Sequence, residues 1–197
     1  YLGKRTANVS SSNKSNDELK KMTERCFEMA KVSPENIYAG IAPSDKIAKE
    51  FKKIDLLDTY VPSTQKLLEM SQETEDSARS VNGISNSDGA SASWGKTNFA
   101  MLSSNGFYGN FSGSIFSLSV SVVAGSAPNM ETDYDFSSKV FFEDLQKPNI
   151  VGLTAAERAV KRLKSKKCKT GKFPVIFDKR VSKSIASHIA SAINGSA

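Results

Sequence analysis

Residues 83–126 read "GISNSDGASASWGKTNFAMLSSNGFYGNFSGSIFSLSVSVVAGS", and the fold turns on whether this run is a linker or a sheet. It is rich in serine and glycine, as flexible linkers are. Yet Ile115, Phe116, Leu118, Val120 and Val122 recur mostly at every second position, the period that puts apolar side chains on one face of a strand. Trp94, Phe99, Phe107, Phe111 and Phe116 are interleaved along it, which a disordered polar tract would lack. Asn105–Gly106 supplies a hairpin signal, because both residues tolerate positive φ at the centre of a tight turn. We therefore expect an antiparallel meander of about four strands over residues 83–140.

Working outward, helical periods flank the meander. Upstream, Ser15 and Glu18 have capping-box spacing, and Leu19, Met22, Cys26 and Met29 follow at helical intervals until Pro34. The weakly alternating start, "GKRTANVSSS", predicts a half-exposed strand. A short helix is expected over 44–51 and a longer one from Ser63, with Leu67, Leu68, Ser71, Ala78 and Val81 facing one way. Downstream, a helix from Pro148 to Leu163 has Ala155, Ala156, Ala159, Val160 and Leu163 on a narrow apolar face, implying close packing. "GKFPVIFD" reads as a short buried strand. The last helix has Val181, Ile185, Ile189, Ala192 and Ile193 as its buried stripe and Asn194–Gly195 as its C-cap. The fold class is α+β, with helices packed on an antiparallel Ser/Gly-rich meander.

Composition narrows the function classes. The chain has 197 residues, 39% of them hydrophobic, enough to bury a core without staples. Two distant cysteines, Cys26 and Cys168, form no disulfide framework and suit a reducing cytoplasm. No apolar run is long enough to span a bilayer, so no membrane partner is expected. The chain begins at Tyr1 in mid-pattern, and we read it as an internal fragment of a larger multi-domain protein.

Three features suggest chemistry. Eight basic residues lie between Arg158 and Lys172 within a net charge of +6. A phosphate-binding reading would draw on Arg158, Lys161, Arg162, Lys166 and Lys167, but cations also suit a helix C-terminus, and no aromatic residues or nucleic-acid module accompany them. Nucleic acid is therefore only the alternative. Glu131, Asp133 and Asp135 alternate, so on a strand they share one face. That pattern suits a divalent cation or, as we prefer, the solvent side of an edge strand. The single histidine, His188, sits on the last helix. Alone it makes no metal site, and local hydrogen bonding and packing explain it better.

Taken in order, "GASASWGKTNFAMLSSNGFYGNFSGSIFSLSVSVVAG", "METDYDFSS", "AAERAVKRL", "KTGKFPVIFD" and "SHIASAINGSA" resemble the TldD/PmbA family, on its PmbA/TldE branch, once called modulator of DNA gyrase. The resemblance implies residues 1–82 as the end of an N-terminal α/β domain. Residues 83–168 would be a middle domain, and 169–197 the first strand and helix of a C-terminal domain. It also implies a cytoplasmic two-subunit metallopeptidase that trims peptides or unfolded polypeptides, in which the TldD paralogue carries zinc on an HExxxH helix. Aligned on Gly195, that motif puts Ala186 at the first histidine, Ser187 at the glutamate and Ser191 at the second histidine. Alanine and serine provide neither zinc ligands nor a general base. The resemblance thus implies no catalytic residue and no cofactor in this chain, with zinc in the partner. The partner would be a TldD-like paralogue or a second copy. The alternative remains a gyrase-related or nucleic-acid-binding regulator using the basic segment 158–172.

Overall fold

The structure is a computed structural model, and it describes residues 1–194. Residues Tyr1–Leu163 form one compact unit and Lys164–Ala197 a second.

The first unit is built on the quoted run. Strands β1 (Ile84–Leu102), β2 (Tyr108–Ser126) and β3 (Asn129–Lys139) form an antiparallel sheet in that order. Among the described residues the meander thus has three strands, not four. β1 and β2 each run for 19 residues; β1 shifts register between Ile84 and Asn86 and again between Ser87 and Gly89, and these irregularities bend the strand without ending it. The predicted hairpin forms at Asn105–Gly106, but only Gly106 takes a positive φ, at 93°. Its amide donates to the Ser103 carbonyl at 3.0 Å, and the Ser103 amide donates to Phe107 at 3.0 Å. The loop therefore has three residues, the usual solution when one glycine alone accepts the left-handed region.

One sheet face is covered. Leu118, Val120, Val122 and Ala124 of β2 are buried there, beneath α2 (Thr64–Arg79) and α3 (Pro148–Arg162). Helix α2 begins as expected, with the Ser63 hydroxyl accepting from the Lys66 amide. Its inner face differs from expectation. Met70 and Thr74 are buried whereas Leu68 is exposed. Thr74 is tolerated because its hydroxyl donates to the Met70 carbonyl at 2.7 Å, leaving only its methyl to pack. Helix α3 buries Val151, Gly152, Ala155, Ala156 and Ala159, the close packing that its alanines predict. A Cβ on Gly152 would lie 2.3 Å from the Thr74 carbonyl oxygen, so glycine is what lets α3 meet α2.

Upstream, α1 (Asn16–Val32) is capped by the Ser15 hydroxyl on the Glu18 amide. Its inward side is Met22, Cys26 and Ala30, while Leu19 and Met29 are exposed. The expected opening strand is absent. The β pairing of residues 1–10 among the described residues is the isolated bridge Leu2↔Arg5; the one described sheet is β1–β2–β3, so no strand runs beside them to take up their backbone groups. The helix expected over 44–51 is reduced to one 3-10 turn, Ser44–Lys46.

In the second unit, the expected strand over 171–178 is not formed; Phe173, Val175, Ile176 and Phe177 are exposed. Helix α4 (Lys179–Ala192) is formed and capped by the Asp178 carboxylate. Its stripe of Val181, Ile185, Ile189 and Ile193 is exposed, not buried as expected. Asn194 is described; Gly195 of the expected cap lies outside the described residues.

Candidate functional site

The alternating carboxylates of β3 face the helices. Register places Asp135 beside Val120, Asp133 beside Val122 and Glu131 beside Ala124, on the covered side of the sheet. Asp133 and Asp135 are buried. Arg158 of α3 donates to Asp135 at 2.5 Å, and Arg162 reaches Glu131 at 3.3 Å and Asp133 at 3.6 Å. The preferred reading, a solvent-facing side of an edge strand, is therefore corrected. β3 is an edge strand, but these side chains point inward, and the arginines of α3 supply the charge that burial of carboxylates requires.

The same contacts bear on the basic segment. Arg158 and Arg162, two of the five candidate phosphate ligands, are turned toward β3. Lys161 is exposed on α3, and Lys166 and Lys167 are exposed in the second unit. The five do not converge within one structural unit.

On α4, Ala186, Ser187 and Ser191 are exposed. The Ser187 hydroxyl donates to the Lys183 carbonyl at 3.3 Å, an ordinary back-bond within a helix. His188 is exposed as well, so the local packing expected around it does not form. Among the described residues no group of three or more His, Cys, Asp or Glu side chains gathers to hold a metal. One imidazole among serines and an alanine does not fit zinc, which takes three or four nitrogen, sulfur or carboxylate donors.

Sequence reasoning missed a polar latch at Asp58. Its carboxylate accepts from the amides of Phe142 and Tyr60, each at 2.8 Å, and its own amide donates to the Ser114 hydroxyl at 2.8 Å. Ser114 in turn donates to the Val140 carbonyl at 2.9 Å. Tyr60 packs against Phe142 with ring centroids 4.6 Å apart. Three stretches distant in sequence, 58–60, Ser114 and 140–142, thus meet around Asp58. The amide of Phe142 foremost, then that of Tyr60, holds the Asp58 carboxyl below its usual range. The spacing from Asp58 to Tyr60 fits a local Asx turn, but its long-range half is invisible in sequence.

Within the first unit, the helices that pack on the sheet are α2 and α3, on the face already described. Ser117, Ser119 and Ser121 line the centre of the other face, with Tyr134 and Phe136 stacked beside them at 6.3 Å. β1 pairs with β2 alone among the described strands, so its outer edge is open.

The fold of this chain also occurs in solved structures. The chain superposes on a proposed modulator of DNA gyrase from Bacteroides thetaiotaomicron with a TM-score of 0.88, at 24% identity, covering 100% of this chain and 46% of that one. It matches TldE from Thermococcus kodakarensis with a TM-score of 0.59, at 18% identity, over 82% of this chain and 35% of that one. These likenesses define the fold. The profile of the PmbA/TldA metallopeptidase central domain matches residues 58–163, from the Asp58 latch to the end of α3. The chain belongs to the TldD/PmbA family. It is 31% identical over 196 residues to a metalloprotease PmbA homolog of Haemophilus influenzae, covering 99% of this chain and 44% of that protein. Identity with metalloprotease PmbA of Escherichia coli O157:H7 is 28% over 198 residues, with the same coverage. The chain thus spans a little under half the length of these relatives. Among the described residues no helix is long and apolar enough to cross a membrane.

Proposed function

We propose that this chain is part of a non-catalytic, PmbA/TldE-like subunit of a two-subunit cytoplasmic metallopeptidase. Its TldD-like paralogue supplies the zinc, and peptides or unfolded polypeptides are the substrates. The observation that carries the proposal is the chemistry of α4. On the resemblance, Ala186, Ser187 and Ser191 fall where the paralogue's motif has two ligands and a base, and none of the three can do that work. The names of the relatives, metalloproteases, support a peptidase setting. On this reading, residues 169–197 open a C-terminal domain, and that domain is what covers the stripe of α4. The open outer edge of β1 suits substrate capture by strand addition, since main-chain hydrogen bonds give affinity that tolerates many sequences.

Mixing the intact protein with its paralogue tests the proposal. The two should co-purify, and an unfolded substrate should be cleaved only when both are present, with zinc confined to the paralogue. Stoichiometric zinc in the intact protein alone, or cleavage by it alone, would overturn the assignment. The nucleic-acid reading is weakened by the pairing of Arg158 and Arg162 with β3. It requires duplex DNA binding that falls steeply with salt; flat or absent binding removes it.

A further inference from the structure

Near the tip of the β1–β2 hairpin, residues 51–56 run beside β2 as a strap, fixed where the Ser114 amide donates to the Leu56 carbonyl at 2.8 Å. Between strap and hairpin lies an apolar groove of about 480 Å³, within the size range of ligand sites. Four phenylalanines build it. Phe51 of the strap meets Phe107 edge-on at 6.0 Å, and Phe99 lies against Phe111 at 5.3 Å. Gly109 keeps the floor low, since a Cβ there would lie 3.0 Å from the Phe107 ring. The rings are not a finished core: Phe51 is 60% exposed, Phe99 48% and Phe111 50%. Clustered exposed aromatics of this kind mark interaction sites and not the ordinary scatter of surface apolar residues.

The charges around the groove are of one sign. Lys52 and Lys53 line it, and no aspartate or glutamate does; Glu50 and Asp55 of the same strap lie outside the lining. Neither lysine makes an ion pair among the described residues. In a two-fold contact a second copy would bring its own Lys52 and Lys53 against these lysines, like charge on like charge, whereas an acidic partner meets the rim favourably. We propose that the groove docks a segment of another polypeptide in which bulky apolar residues stand next to carboxylates. The apolar side chains enter between Phe51 and the Phe99–Phe111 pair, and the carboxylates meet Lys52 and Lys53. This proposal does not depend on the peptidase reading.

Fluorescence anisotropy on the intact protein tests it, with the labelled peptide Gly-Glu-Phe-Leu-Asp-Gly as probe. One control replaces both acids by lysine, and another replaces both apolar residues by glycine. The acidic apolar peptide should bind about tenfold or more tighter than either control at low salt, a preference of about 1.4 kcal/mol. The gap from the lysine control should close near about 0.5 M salt, where surface charges are screened. Lys52→Glu with Lys53→Glu should reverse the order of the acidic and lysine peptides, a gain that a misfolded variant cannot mimic. Phe51→Ala should weaken binding of both, with the circular dichroism melt unchanged. Equal binding of all three peptides, or none, overturns the proposal. So does self-association that Phe51→Ala abolishes, because the groove then holds a second copy.

Discussion

Asp58 shows how much one side chain can tie together. Its carboxylate accepts amides from Phe142, beyond β3, and from Tyr60, just before α2. Both bonds favour the charged form, which sets the sign of the pH dependence. The unfolded chain holds its proton to a higher pH than the folded one, so stability rises with pH through that interval. The contribution is complete above the ordinary carboxylate range and is lost as pH falls through the depressed folded value. Urea melts at pH 7 and pH 3 should therefore show wild type losing more stability on acidification than Asp58→Asn, whose amide has no proton to gain. An equal loss in both would remove Asp58 from the account. Arg158 and Asp135 make a second residue-scale case. Truncating Arg158 to alanine strands a buried carboxylate, and breaking such a pair costs about 3 kcal/mol. Replacing both partners with apolar residues should restore much of that loss. A double-mutant cycle read by urea melts checks this. The alternation of Glu131, Asp133 and Asp135 was visible in the sequence; which face they took was not, because period two is identical for either side of a strand.

Among the elements, the helix pair α2–α3 is the tightest joint. Alanine spacing on α3 foretold a close approach, but Gly152 gave no sequence signal of its own, since a helical glycine has many explanations. The geometry supplies the reason, with the Thr74 carbonyl occupying the space of a Cβ. Gly152→Ala should destabilise the protein by about 1–3 kcal/mol, as overpacking does, even though alanine favours a helix by about 1 kcal/mol. A lower thermal midpoint, with far-ultraviolet circular dichroism otherwise retained, is the expected result; an unchanged or raised midpoint would show that the helices can separate freely. Helix α4 teaches the converse. Its amphipathic spacing correctly announced a helix, and its Asp178 cap formed. Whether Val181, Ile185 and Ile189 are covered depends on what lies opposite them, and periodicity carries no information about that.

For the whole molecule, the division at Leu163 matters most. From Lys164 to Phe177 the backbone has no helix or strand, and Lys164, Lys166, Lys167, Lys169 and Lys172 are exposed along it. Exposed segments of this kind are where proteases nick folded chains. Limited trypsin digestion should cut between Lys164 and Lys172, and at Lys49, Lys52 and Lys53, which are likewise exposed outside helix and strand, and should leave β1, β2 and β3 intact, as mass spectrometry of the products would record; earlier cuts inside β1 or β2 would refute this division. What the sequence determined by itself was local and periodic. It specified the alternation that makes the strands, the hairpin glycine, the serine caps of α1 and α2, and the extent of α3, because these depend on neighbours a few residues away. The number of strands, the inward turn of the β3 carboxylates, the Asp58 latch and the apolar groove beside Phe51 were decided only by tertiary structure. Each depends on groups tens of residues apart arriving at one place, and burial, charge pairing and close approach are properties of that arrangement.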